Sequence, residues 1–132
     1  MASAVSALSV LIIEDDRQLR ELYRASLKLA GYSVTAVEDG ISALHIIDVH
    51  IPDVIVLDLV LPRLSGRDVF KELQAKPSAR GIPIVVVSGT DTSDLNANDF
   101  ARVLSKPVDA DALVKAVDEA VRGVRRAPSQ LI

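Results

Sequence analysis

Residues 53–58 have the sequence DVIVLD, a β-branched hydrophobic run that ends in an acidic residue. A run without polar alternation is typical of a strand that is buried on both faces. The same arrangement occurs three more times, and each hydrophobic run is followed within two residues by a polar or charged side chain that could bind a ligand or react with one. These runs and their end residues are Ser9–Ile13 with Glu14 and Asp15, Pro83–Val87 with Ser88, and Ala101–Leu104 with Lys106. We therefore expect the four runs to be strands of one sheet.

Between the strands, apolar residues recur at helical spacing. The first helix follows Asp16, which we assign as its N-cap, and Gly31 ends it. Residues 32–37 alternate weakly and are typical of an edge strand. Three later helices are expected. The first buries Ala43, Leu44 and Ile47. The second is capped by Ser65 and buries Val69, Phe70 and Leu73, and the third is capped by Asp109 and buries Leu113, Val114, Val117 and Val121. Strands that alternate with helices predict a parallel sheet covered on both faces.

Parallel strands bring their carboxyl ends to one edge of the sheet, where open α/β folds bind ligands. That edge would hold the carboxylates of Glu14, Asp15 and Asp58, the hydroxyl of Ser88 and the ammonium group of Lys106. Carboxylates crowd together around a cation, whereas a hydroxyl and an ammonium group are natural partners of an anion. The pattern therefore predicts a site for a divalent cation and a phosphoryl group.

Length and composition narrow the choice of function. The 132 residues fit one domain, which we expect over residues 9–123, with a disordered lead-in at 1–8 and a flexible tail at 124–132. A net charge of −3, with few aromatic residues and no Trp, argues against a nucleic-acid surface. The absence of cysteine excludes disulfides and thiolate chemistry. The apolar stretch 2–13 has no basic leader and is too short to span a membrane, so we expect a soluble cytoplasmic protein that does not bind membranes.

Five pieces of sequence, taken in order, resemble the receiver domain of two-component response regulators, in particular its single-domain, chemotaxis-regulator-like members. The pieces are IIEDD at 12–16, DLVLP at 58–62, Gly66, VVSG at 86–89 and SKP at 105–107. The resemblance covers roughly residues 8–123. It implies an α/β, flavodoxin-like, doubly wound fold, in which a five-stranded parallel sheet has the strand order 2-1-3-4-5 and helices cover both faces.

In such a receiver, Asp58 would accept a phosphoryl group from the phosphohistidine of a sensor histidine kinase or a histidine phosphotransfer protein, as in a phosphorelay. Glu14, Asp15, Asp58 and the backbone carbonyl of Val60 would hold Mg²⁺, with Mn²⁺ as an alternative cation. The domain would signal through altered binding of a downstream protein that the sequence does not identify. It would lose its phosphoryl group slowly by itself, so it is not a conventional enzyme.

The remaining motif residues would surround the phosphoryl group. The resemblance implies that Ser88 and Lys106 contact phosphoryl oxygens, that Pro107 forms a cis peptide with Lys106, and that Gly89 leaves room for the phosphodonor. Taken singly, Ser88 is explained more simply as a turn residue and Lys106 as an exposed lysine. Their combination at strand ends is what points to the chemistry.

The sequence departs from the family in two places. Receivers commonly carry an aromatic switch residue three positions before the lysine, and this position is Val103 here. The segment from Ser88 to Lys106 is also shorter than usual by about one helical turn, so we expect no full helix over residues 93–101. Both differences predict a divergent surface for a downstream partner or a homodimer.

Two other functions remain open. A pseudo-receiver would keep the fold as an interaction scaffold without phosphorylation switching. A dehalogenase-type phosphatase needs a second Asp two residues after the nucleophile, where this chain has Val60.

Since no effector domain follows the last helix, we expect either a single-domain regulator or a receiver excised from a longer protein.

Overall fold

The computed structural model describes residues 7–130, and their side chains as far as Gly123. Its centre is a five-stranded parallel sheet with the order β2-β1-β3-β4-β5, which confirms the predicted fold. The strands are β1 (Ser9–Ile13), β2 (Ser33–Val37), β3 (Val54–Asp58), β4 (Ile84–Ser88) and β5 (Arg102–Ser105). The helices are α1 (Arg17–Leu29), α2 (Gly40–Val49), α3 (Gly66–Gln74) and α4 (Ala110–Gln130).

Side-chain caps fix where the helices begin. Asp16, Ser65 and Asp109 accept hydrogen bonds from the backbone amides three residues later, at 3.0, 3.1 and 2.7 Å, as the sequence predicted. Asp39, which the sequence indicated only as a turn residue, caps α2 through a 2.7 Å bond from the amide of Ser42. The start of each of the four described α-helices is therefore set by a polar side chain that precedes it.

The sheet buries both of its faces. Residues of the central strands alternate between two hydrophobic clusters, so that Val10 and Ile12 point to one side of β1 and Leu11 and Ile13 point to the other. The first cluster is closed by α1 and α4, through residues such as Tyr23, Leu27, Leu113 and Val117. The second is closed by α2 and α3, through residues such as Ala43, Ile47, Val69 and Leu73. This double burial holds the strand ends, and the site on them, in a rigid frame.

Three of the strand ends, at Asp58, Ser88 and Ser105, lie one residue later than predicted. Asp58 and Ser88 belong to their strands, since Asp58 is in register with Val87, and Ser88 with Ser105. The hydrophobic runs end before these residues, but backbone pairing does not depend on side-chain polarity and continues through them. Both polar groups are therefore anchored by the sheet and not by a loop.

The connection between β4 and β5 has a 3₁₀ turn (Ala97–Asp99) and, among the described residues, no α-helix, as the short spacing predicted. Arg67 of α3 holds this connection. Its guanidinium donates to both carboxylate oxygens of Asp94, at 2.9 and 2.7 Å, and to the carbonyl of Asp91 at 3.1 Å. A bidentate arginine contact thus ties the loop to α3.

The lead-in and tail boundaries stay predictions. Residues 1–6 and 131–132 lie outside the described residues, as do the side chains of 124–130. Over the part of the chain that the structure describes, no helix is both long and apolar enough to cross a membrane.

Candidate functional site

The carboxyl edge of the sheet brings together a lysine and two buried acids. Nζ of Lys106 lies 3.0 Å from Oδ2 of Asp58 and 2.8 Å from Oε1 of Glu14. The acids are nearly inaccessible, at 4% and 2% exposure, whereas the lysine side chain keeps 19%. Because two buried carboxylates meet one ammonium group, the charges at this edge balance only if one acid holds a proton or a further cation binds.

A third acid completes a cluster that could hold a metal. Oxygen atoms of Glu14, Asp15 and Asp58 lie within 4.8 Å of one another, and Asp15 is exposed to solvent. Opposite ligands of Mg²⁺ are about 4.2 Å apart, so small side-chain movements would close these oxygens on one ion. Oε1 of Glu14 is also buried without a well-aligned hydrogen bond among the described residues, despite the nearby ammonium group. The donor set, three carboxylates with oxygens this close together, fits a hard divalent cation.

The pKa values in the site follow from burial and charge. Burial raises the pKa of Glu14 from 4.5 to about 7, although Lys106 and the amide of Asp16 act in the opposite direction. Burial alone would lower the pKa of Lys106, but its ion pairs with Glu14 and Asp58 outweigh burial and raise it. The lysine therefore stays charged at neutral pH, while the ionised form of Glu14 is disfavoured until more positive charge arrives.

Ser88 lies at the same edge but its hydroxyl contacts another residue. Oγ of Ser88 is 2.8 Å from Oγ1 of Thr90, and it accepts a 3.1 Å hydrogen bond from the Thr90 amide. The side chain is almost fully buried, at 1% exposure. These two bonds link the β4–β5 loop to the Ser88 side chain at the edge of the site.

The other predicted residues line the rim. The amide of Val60 donates to Oδ1 of Asp58 at 3.1 Å, which fixes the carboxylate, and Val60 is 54% exposed. Pro107 follows a cis peptide bond, as the resemblance implied. Gly89 is exposed, and a Cβ built on it would be 3.8 Å from Lys106, in ordinary contact. Val103 is half-buried and packs against the cluster under α2 and α3.

Gly66 supports the site from below. Its amide donates to the carbonyl of Leu59 at 2.9 Å, and an added Cβ would lie only 2.3 Å from the carbonyl oxygen of Asp58. A distance that short cannot be tolerated, so the backbone of α3 can approach the Asp58 strand end only where a residue lacks a side chain. The motif glycine is therefore explained by packing against the backbone of Asp58 and Leu59.

Sequence reasoning missed three contributors to this region. Arg20 donates to the carbonyls of Glu14 and Asp15, Thr90 binds the Ser88 hydroxyl, and Arg67 holds the loop that follows. Arg20 was detectable in principle. It comes four residues, about one helical turn, after the N-cap Asp16, so its side chain can reach back to the residues that precede the helix. The partners of Thr90 and Arg67 depend on the loop conformation, which the sequence pattern does not specify.

The amino-acid sequence is similar to a known protein family and to individual members of it. Residues 10–118 match the family described as the response regulator receiver domain. The chain is 37% identical over 105 residues to Response regulator MprA of Mycobacterium sp. (strain KMS), which is 74% of this chain and 44% of that protein. It is 36% identical over 107 residues to Response regulator MprA of Mycobacterium avium (strain 104), of which it covers 45%. The chain thus spans less than half the length of these curated relatives.

Solved structures show the same similarity in three dimensions. A CheY-like response regulator receiver domain from Methylobacillus flagellatus is 30% identical with a TM-score of 0.76, over 87% of this chain and 99% of that one. The signal receiver domain of a putative Luxo repressor protein from Vibrio parahaemolyticus is 28% identical with a TM-score of 0.82, over 96% and 97% of the two chains.

Proposed function

The chain belongs to the response regulator receiver domain family, and on that premise we propose that it accepts a phosphoryl group on Asp58 in a Mg²⁺-dependent reaction. The observation that carries the proposal is the position of the Asp58 carboxylate. Its Oδ2 is 3.0 Å from the ammonium group of Lys106, and the carboxylate has an oxygen within 4.8 Å of oxygens of Glu14 and Asp15. A carboxylate in this place can react with an anionic phosphoryl group because the ammonium group and a cation on the acidic cluster can both supply positive charge.

In the proposed reaction, a carboxylate oxygen of Asp58 attacks the phosphorus atom of a phosphohistidine. An oxygen–phosphorus bond forms, the nitrogen–phosphorus bond breaks, and the electron pair of that bond stays on the imidazole, which takes up a proton. A cation held by Glu14, Asp15, Asp58 and the carbonyl of Val60 would neutralise charge on the phosphoryl oxygens. The donor would be a sensor histidine kinase or a histidine phosphotransfer protein, and we propose a cytoplasmic location for the reaction.

The protein's own groups orient the nucleophile before the donor arrives. The Val60 amide and the Lys106 ammonium group each hold one oxygen of Asp58, at 3.1 and 3.0 Å. After transfer, Lys106 can follow the new negative charge onto a phosphoryl oxygen, since a lysine ammonium group on a flexible stem can re-aim. Ser88 would then exchange its bonds with Thr90 for a second phosphoryl oxygen.

That exchange is the proposed signal. When Ser88 releases Thr90, the β4–β5 loop loses one of its attachments to the site, and the surface presented to a downstream protein changes. A partner that binds the two loop conformations with different affinity would read the phosphorylation state. Loss of the phosphoryl group to water would reset the domain.

One alternative is supported by a specific observation. Val103 occupies the aromatic switch position, and residues 89–101 contain a 3₁₀ turn in place of an α-helix. A pseudo-receiver that binds partners without phosphorylation would tolerate both changes. The contacts of Asp58 with Lys106 and Val60 favour the phosphorylated receiver, because a scaffold has no need of a buried, oriented carboxylate.

The two functions are separated by incubating the protein with acetyl phosphate and MgCl₂ and measuring the intact mass. We expect a labile phosphoryl adduct that is absent in EDTA and absent in Asp58→Asn. Asp68→Asn, which changes an exposed aspartate of α3, is the matched control and should keep the adduct. Folded wild-type protein without any adduct would favour the scaffold.

A further inference from the structure

Arg20 reaches back from α1 to the turn that carries the acidic pair. Its Nη1 donates to the carbonyl of Glu14 at 3.0 Å and to the carbonyl of Asp15 at 3.2 Å. Between them, these carbonyls define the two peptide planes on either side of Asp15. The arginine therefore fixes the backbone orientation of that residue from outside the site.

The three acids of the cluster differ in how their side chains are held. The Glu14 carboxylate accepts a 3.1 Å bond from the Asp16 amide and contacts Lys106. Asp58 is held by Val60 and the same lysine. Within residues 7–123, the exposed Asp15 carboxylate has no hydrogen-bond or ion-pair partner. Its direction thus depends on the backbone of the turn.

We propose that Arg20 is a positioning residue that sets the cation selectivity of the site, by fixing the turn from which Asp15 presents its carboxylate. This inference rests on the proposed function, since it assumes that the acidic cluster binds Mg²⁺. The inference concerns which divalent cation the site binds more tightly, whereas the proposed function concerns the transfer of a phosphoryl group to Asp58. Arg20 itself contacts backbone oxygens and no carboxylate of the cluster.

The chemistry of the two common divalent cations makes this role measurable. Mg²⁺ requires near-ideal octahedral geometry at about 2.1 Å, whereas Ca²⁺ accepts irregular oxygen shells at about 2.3–2.6 Å. A loosened turn should therefore penalise Mg²⁺ far more than Ca²⁺. Loss of the arginine charge would instead favour both ions, because one repelling cation is removed.

The test is a titration of ¹⁵N-labelled protein with MgCl₂ or CaCl₂ at constant ionic strength, followed through the amide shifts of residues 14–16. The variants are Arg20→Met and the matched control Arg24→Met. Arg24 lies one turn further along α1 and pairs with Glu21 on the surface, at 2.9 Å. If Arg20→Met does not fold, Arg20→Gln, which keeps one donor group, is judged by the same criterion.

We expect Arg20→Met to weaken Mg²⁺ binding about tenfold or more, as outer-shell substitutions do, and to change Ca²⁺ binding less than about threefold. Arg24→Met should leave both dissociation constants unchanged. Equal weakening of both ions, tightening of both, or no change would overturn the role of Arg20. If the wild type itself shows no Mg²⁺-dependent shifts, the proposed Mg²⁺-dependent function fails instead, so the two failures are distinguishable.

Discussion

Replacing Glu14 by Gln should stabilise the metal-free protein at alkaline pH. Glu14 is a buried acid whose pKa is raised from 4.5 to about 7 because burial disfavours its charge. The folded protein therefore keeps this proton up to about pH 7, while the unfolded chain releases it near pH 4.5. Since the folded state binds more protons in this window, its stability falls as the pH rises through it.

The size of the effect follows from the two pKa values. The interval from 4.5 to about 7, at about 1.4 kcal/mol per pKa unit, corresponds to about 3 kcal/mol. Glu14 is only 2% exposed, so solvent screening removes little of this energy. Glu14→Gln removes the charge and leaves Lys106 paired with Asp58 at 3.0 Å. We expect a gain of up to about 3 kcal/mol above pH 8 and almost none at pH 5.

The assay is urea denaturation in EDTA at several pH values between 5 and 9, which gives the free energy of unfolding of both proteins. The control is Glu21→Gln, an exposed acid of α1 that should show no pH-dependent gain. With MgCl₂ present, the sign should reverse, because the ionised Glu14 then gains a cation. A Glu14→Gln variant that is less stable than wild type at pH 8 in EDTA would refute the reasoning, as would a difference that does not depend on pH.

Two further changes test the frame around the site. Gly66→Ala should lower the free energy of unfolding, measured by urea titration, by more than about 2 kcal/mol, because its Cβ would lie 2.3 Å from the Asp58 carbonyl oxygen. The control Gly81→Ala should cost far less, since a Cβ there has nothing within 4 Å. Arg67→Leu should speed amide hydrogen exchange over residues 90–99. It should change the global free energy of unfolding by less than about 1 kcal/mol, because the ion pair of Arg67 with Asp94 is exposed. Unchanged exchange over residues 90–99 would show that other contacts hold the loop.

The sequence predicted the frame of the molecule because local signals there agree with tertiary structure. The uninterrupted run Ile55–Leu57 can only be buried on both faces, and the polar residues Asp16, Ser65 and Asp109 cap helices wherever such helices begin. The strand ends were less exact. Asp58 and Ser88 continue their strands because ladder hydrogen bonds include polar residues, whereas hydrophobicity marks only the apolar part.

The site was predicted as a set of residues but not as a network. The sequence grouped Glu14, Asp15 and Asp58, yet it could not show that Glu14 is buried and Asp15 exposed, because that difference arises from how the turn leaves the sheet. Nor could it show the Ser88 hydroxyl bonded to Thr90, which depends on the loop conformation. Spacing along the chain identifies which strand end a residue occupies, while side-chain direction is decided by long-range packing.

The most direct test of the account is the chemical identity of the phosphorylated residue. Protein treated with acetyl phosphate and MgCl₂ is reduced with borohydride, which converts an acyl phosphate of aspartate to homoserine, and the peptide spanning β3 is sequenced by mass spectrometry. The account predicts homoserine at position 58, dependent on MgCl₂ and lost in Lys106→Ala or greatly reduced there. Homoserine at another aspartate, or a phosphate that stays on a serine such as Ser88, would contradict it.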